Sequence, residues 1–233
     1  MNIDLIKVFN ESHDLLFNGL KMTVQITALS LVIALIVGIF ICLMNISPYR
    51  ILQGIAKFYI WLIRGTPMLV QAFYFYFAVP QLIQAITGAP FRIGIFTAGV
   101  VTLSMNAGAY ISEIFRGSIE AVPRGQMEAA RSLGLSYAKS MQKIILPQAI
   151  RICLPSLVNQ FIITLKDSTI LYAIGLPEIM NQAKVYVGRT MQSFATYTWV
   201  AIFFLAIVTV LSFISRIVER RLRFGGKRTR DRN

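Results

Sequence analysis

One histidine and two cysteines are all that this chain offers of the commonest metal ligands and nucleophiles. His13 stands alone in a polar stretch. Cys42 and Cys153 sit in apolar runs without CxxC spacing, the pattern of small packing residues rather than of a disulfide or a metal site. With no HExxH and no GxSxG, a metalloprotease or serine hydrolase has nothing to build on. A phosphate loop is missing too. Gly225-Gly226-Lys227-Arg228 has neither the spacing nor the hydroxyl residue of GxxxxGK[ST], so the chain itself is expected to bind no nucleotide or other cofactor. The N-terminus sets Asp4, Glu11 and Asp14 against Lys7, without the basic start or cleavage site of a secretory signal peptide. Its first apolar segment is therefore expected to be retained.

Charge is scarce as well. Charged residues make up 14% and hydrophobic residues 56%, and a mean hydropathy of +0.64 points to the bilayer as solvent rather than water. The ten acidic residues are outnumbered by 23 basic ones, but these lie between apolar runs, which is a topology signal and not the basic face of a nucleic-acid reader. Five segments are long and apolar enough to cross about 30 Å of hydrocarbon: 22–44, 58–83, 94–112, 148–165 and 196–214. The second is interrupted at Arg64-Gly65-Thr66-Pro67. The third is rich in Gly, Ala and Ser, which suits close helix packing in lipid. The expected fold is an all-α integral membrane protein of one domain, 1–233.

Orientation follows from Lys and Arg. With the N-terminus outside, the inner segments hold sixteen of the 23 basic residues. The positive-inside rule then places the 116–147 loop and the basic tail, 216–233, in the cytoplasm. The tail is too poor in apolar residues to build a core and reads as an orientation signal touching anionic lipid. Between 167 and 193 the sequence predicts a short helix, a turn at Gly175 to Pro177 and a second helix near the outer surface.

The loop between the third and fourth spans is the most specific stretch. Helix formers Met127, Glu128, Ala129, Ala130 and Arg131 lead to Gly134 as a stop, and Ser136 or Ser140 starts the next helix. Small Ala129 and Ala130 permit close approach, and Glu128 offers a carboxylate to a partner. A short rigid helix–turn–helix of this kind passes a partner's movement to the adjoining spans. An ordinary amphipathic loop remains the plainer reading of Glu-Ala-Ala alone.

The complete spacing, Glu128-Ala129-Ala130, Gly134, then Ile144 and Leu146-Pro147, resembles the coupling loop of ATP-binding-cassette importer permeases. The resemblance extends to Arg64-Gly65-Thr66-Pro67-Met68-Leu69-Val70-Gln71, to the run Ala109 through Gly117, and to Leu165-Lys166-Asp167-Ser168-Thr169-Ile170. These strings are similar to permeases of the polar amino-acid uptake branch, whose usual Lys-Asp-Thr-Ser has its last two residues exchanged here. The resemblance implies a multi-pass bacterial plasma-membrane subunit, paired with a second permease chain, either a copy or a relative. Separate ATPase subunits that bind ATP and Mg would engage the 125–139 loop, and an extracytoplasmic binding protein would deliver an amino acid. The segment 176–190 with Tyr197 leans weakly to cystine.

Ionisable and polar residues inside spans are the candidate pathway residues, because an unpartnered charge in lipid is costly. They are Arg64, Thr66, Gln71, Asn106, Glu113, Asn159 and Asp167. A zwitterion needs a cation for its carboxylate and an anion or carbonyls for its ammonium. Arg64 or the Arg64–Pro67 break suits the first and Asp167 with Glu113 the second. Equally, Arg64 and Glu113 make interhelical ion pairs, Lys166 snorkels to the surface, and Gln71, Asn106 and Asn159 bond between helices. Two rivals are a small ion-coupled secondary transporter, with Glu113 or Asp167 carrying a proton, and a scaffold held by its tail.

Overall fold

The structure is a computed structural model and describes residues 4–224. Eight helical elements carry the chain: α1 Leu5–Asn45, α2 Arg50–Gly65, α3 Met68–Thr87, α4 Ile95–Glu120, α5 Arg124–Ser132, α6 Tyr137–Ile174, α7 Ile179–Thr190 and α8 Ser193–Phe224. Among the described residues there is no strand. Five of these helices, α1, α3, α4, α6 and α8, are long and apolar enough to cross a membrane, α8 over Ser193–Ile217.

α1 starts well before residue 22, where hydropathy places the first span. Asp4 caps it, its Oδ1 accepting from the N–H groups of Ile6 and Lys7 at 3.1 and 3.0 Å. The extra turns are amphipathic: Val8, Ser12 and Leu16 continue inward the buried stripe that Gly19, Thr23 and Ile26 carry into the span, so a window average misses them. Buried hydroxyls on this stripe are satisfied by the preceding turn, as with Ser12 to Val8 O at 2.7 Å and Thr27 to Thr23 O at 2.7 Å.

α1 and α4 form the centre of the bundle. Their backbones meet where Gly38 faces Ile111 and Gly108 faces Val37. A Cβ added there would lie 2.5 Å from Ile111 Cγ2 or 2.8 Å from Val37 Cγ1, so neither site accepts alanine without movement. Ala34, Ala107, Ile111, Cys153 and Leu157 bring α6 onto the same pair, confirming the cysteine as packing.

The segment 58–83 is not one helix. α2 ends at Gly65, Thr66 and Pro67 are extended, and α3 begins at Met68. Pro67 has no N–H to donate to the Ile63 carbonyl four residues back. The side chain of Gln71 replaces it: Nε2 donates to Ile63 O at 2.7 Å and lies 3.0 Å from Thr66 O. Two other prolines follow single π turns, Pro80 after Tyr74–Ala78 and Pro147 after Met141–Ile145. There the ladder skips to the residue five back, Val79 N to Tyr74 O and Leu146 N to Met141 O. The fourth span is likewise longer than 148–165, because α6 begins in the loop at Tyr137 and tightens to a 3-10 turn over Ser168–Ile174. Gly175, at φ 89°, then turns the chain into α7, as the 167–193 pattern predicts. The last nine residues of the predicted basic tail lie outside the described residues.

Candidate functional site

Three elements converge on a cavity of about 360 Å³ within the bundle. The break supplies Thr66, Pro67 and Met68, α4 supplies Asn106 and Tyr110, and α6 supplies Gln160, Ile163, Asp167 and Ile170. The proline break is what exposes Thr66 here, with its hydroxyl donating to Leu62 O at 2.8 Å. Behind that wall Gln71, 6% exposed, accepts from Asn106 Nδ2 at 3.0 Å and so joins the break to α4. Gln160 is also buried, its Nε2 3.5 Å from Thr164 Oγ1. Asp167 is half-buried and makes no ion pair among the described residues; Lys166 beside it points to the exposed side. The cavity thus offers one carboxylate, two carboxamides, two hydroxyls and an apolar wall, which together can hold an ammonium group and orient a small polar molecule.

Thr66, Asn106 and Asp167 are therefore gathered in one place. Gln71 stands behind them as a support. Asn159 faces outward, and its neighbour Gln160 takes the inward place, since one residue along a helix turns the side chain by about 100°. Arg64 and Glu113 lie outside the lining. Glu113 is held by Arg116 through two bonds of 2.9 Å, by Asn45 at 3.4 Å, and by Arg64 at 3.7 Å. Arg116 also reaches Glu120 at 2.7 Å. The Arg64 guanidinium lies 5.0 Å over the Tyr110 ring, so it touches the cavity only through that tyrosine. Tyr110 and Gln160 escape a search for charges in spans; their signal is membership of the same helical faces as Asn106 and Asp167.

At the Glu120 end of α4 the connecting loop folds into α5 and the start of α6. Leu135 N bonds to Ala130 O at 3.2 Å and Gly134 N to Arg131 O at 3.0 Å, a helix stop that sets Gly134 at φ 82°. Ala130 is buried, while Glu128, Ala129, Gly134 and Leu133 are exposed, Leu133 by 85%. Tyr137 is 60% exposed beside it. Beneath, Ile119, Val122, Met127, Met141, Ile145 and Ala149 pack the loop onto α4 and α6. The loop is thus a firmly seated projection with an apolar tip that sequence reading does not single out.

Residues 30–224 match the family described as the binding-protein-dependent transport system inner membrane component. The chain belongs to this family. It is 38% identical to the arginine transport system permease protein ArtQ of Bacillus subtilis, over 96% of this chain and 99% of that protein. To the glutamine transport system permease protein GlnP of Escherichia coli K12 it is 39% identical, over 90% of this chain and 93% of the relative. A solved amino acid ABC transporter with histidines superposes with a TM-score of 0.88 at 38% identity, covering 95% of this chain and all of that one. The methionine transporter MetNI, at 19% identity and a TM-score of 0.74 over 91% of this chain and 98% of that one, shares the fold. The protein is a membrane-spanning permease subunit of an amino-acid ABC importer, and neither a secondary carrier nor a scaffold is favoured.

On the opposite end of the bundle from that loop, Glu178 caps α7 with bonds of 2.9 and 2.7 Å from Met180 and Asn181 N–H. It is fully buried, and burial pushes its carboxyl up to about 7 against the pull of those two donors. Beside it Ile179 N donates to Thr23 Oγ1 at 3.2 Å and ties α7 to α1.

Proposed function

We propose that this permease forms the path for a polar α-amino acid and that the 125–139 loop couples it to separate ATPase subunits, which bind ATP and Mg. The single observation that carries the substrate reading is the unpaired, half-buried Asp167 that shares one cavity with the carboxamides of Asn106 and Gln160. An α-ammonium or a cationic side chain suits the carboxylate, and amide and hydroxyl donors suit a carboxylate of the ligand. The names of the relatives favour arginine or glutamine over cystine, whose sequence signal, 176–190 with Tyr197, lies outside the cavity lining. The exposed loop tip and its packed base support coupling, with Glu128, Ala129, Ala130, Gly134 and Pro147 as its frame. Sixteen inner cations support an N-terminus outside and the loop inside. A second permease chain and an extracytoplasmic binding protein complete the assembly.

The test is uptake by the reconstituted complex. Asp167→Asn removes a charge-assisted bond of roughly 1.5–3 kcal/mol, so half-saturation for the amino acid should rise about tenfold or more while assembly and basal ATPase activity persist. Unchanged uptake would move the path elsewhere; lost assembly would make Asp167 structural.

A further inference from the structure

Helix α2 is amphipathic in a way that transport does not require. Arg50, Lys57 and Arg64 recur every seven residues, so each lies within about 20° of the last around the helix. Arg64 is taken up by Glu113 and Tyr110. Arg50 and Lys57 make no ion pair among the described residues. Ala56, Ile60 and Ile63 are buried, the first two against Ile41 of α1. Another face, Ile51, Ile55, Phe58 and Leu62, is exposed, Phe58 by 61% and Ile51 by 78%.

Depth is set by the neighbours. α2 runs back along α1, with Ala56 and Ile60 against Ile41, so Lys57 stands at the level where α1 ends at Asn45. Asn45, Lys57, Trp61, Arg116 and Glu120 border one cavity of about 560 Å³ at this edge of the spans. Its two carboxylates are already occupied, since the Arg116 fork holds both Glu113 and Glu120. Lys57 is left to meet a ligand, with Arg50 further toward water. From this charged level, exposed apolar surface continues along the same helix to Leu62, and Trp61 sits where indoles favour the membrane interface.

We propose that this cavity takes the headgroup of an anionic phospholipid, with its phosphate on Lys57 and Arg50 and its acyl chains along Phe58, Trp61 and Leu62. A protein partner would be expected to answer the two cations with carboxylates beside an apolar patch; a lipid carries charge and hydrocarbon in the order in which α2 presents their complements. The site is separate from the amino-acid cavity and does not rest on how that cavity is read.

Trp61 and Trp199 are the two tryptophans of the chain. Trp199 is remote, its indole N–H donating to Leu5 O at 2.9 Å. Trp199→Phe therefore leaves Trp61 as the reporter. The full chain would be reconstituted in dioleoylphosphatidylcholine bilayers containing brominated phosphatidylglycerol or brominated phosphatidylethanolamine, and Trp61 quenching followed against lipid fraction. Each basic side chain at the surface contributes about fivefold, so with Lys57 and Arg50 together half-quenching is expected at a fraction on the order of 25-fold lower for the glycerol lipid. Lys57→Gln with Arg50→Gln should remove that difference, and Lys21→Gln, at the other end of the bundle, should keep it. The same loss with Lys57→Gln and Arg50→Gln together must appear in the chain retaining both tryptophans, so the outcome does not hang on Trp199→Phe. Equal quenching by the two lipids would reduce the site to ordinary lipid contact and overturn the proposal. Absence of quenching by either would overturn it in favour of a protein covering this face.

Discussion

Replacing Gln71 by leucine isolates the device that keeps the proline break in place. The side chain keeps a similar volume, but Ile63 O loses the donor that Pro67 cannot supply, and Asn106 Nδ2 loses its acceptor. Each polar group left buried without a partner costs about 1–3 kcal/mol, hence roughly 2–6 kcal/mol for the two. Water entering from the cavity beside Thr66 and Asn106 offsets part of this, which favours the lower figure. About 2 kcal/mol corresponds to a fall in Tm on the order of 4–8 °C for a chain of this size. The assay is thermal unfolding of the purified permease in mild detergent, alongside uptake in proteoliposomes. Half-saturation for the amino acid should rise, because Thr66 and Asn106 are held in the cavity wall through Gln71. Pro67→Ala added to Gln71→Leu restores a backbone N–H and should recover part of the lost Tm. A Gln71→Leu protein with unchanged Tm and uptake, or no recovery on adding Pro67→Ala, would refute the reasoning.

Gly134→Asp puts a side chain on a residue at φ 82°, costing about 1–2 kcal/mol locally, and should leave the permease inserted but uncouple ATP hydrolysis from uptake; Glu128→Ala should weaken ATPase co-purification. Glu178 has a folded value of about 7 against the ordinary 4.5, so its contribution to stability is fully present below pH 4.5 and is lost as pH rises through 7. That interval corresponds to about 3 kcal/mol, and Glu178→Gln should flatten the fall of Tm between pH 4.5 and 7.5. Asn10→Cys and Gln126→Cys, on a background lacking Cys42 and Cys153, test orientation with an impermeant thiol reagent on intact cells. Labelling is expected at residue 10 and protection at residue 126; the reverse pattern contradicts the charge count.

The span count was legible because hydrophobic runs near twenty residues have few alternatives to crossing a bilayer. Their ends were not. Hydropathy averages over a window, so it cut α1 at residue 22 although its buried stripe runs on through Leu16 and Val8. Likewise it fused α2 to α3 across Pro67, where the break depends on one side chain, Gln71, four residues beyond the proline. Gly134 was legible as a stop because a left-handed residue at a helix end is nearly always glycine, a local rule needing no tertiary knowledge.

The site divides along the same line between local and distant causes. That Asp167 and Asn106 belong to a cavity follows from cost: a polar side chain in a span must find a partner or water, and α4 and α6 bring these two together. Which partner a charge finds is a different matter. Glu113 was one candidate for an ammonium group, but Arg116 is three residues along its own helix and Arg64 comes from across the bundle, so its lone pairs are filled before any substrate arrives. Once both acidic candidates are weighed in this way, the distinguishing property is vacancy rather than charge. Asp167 sits at the point where α6 tightens from an α-helix to a 3-10 turn, next to a lysine whose side chain leaves on the outer side. Asp167 lines one cavity with Thr66 and Asn106, and so the residue without an internal partner is also the one that faces the break.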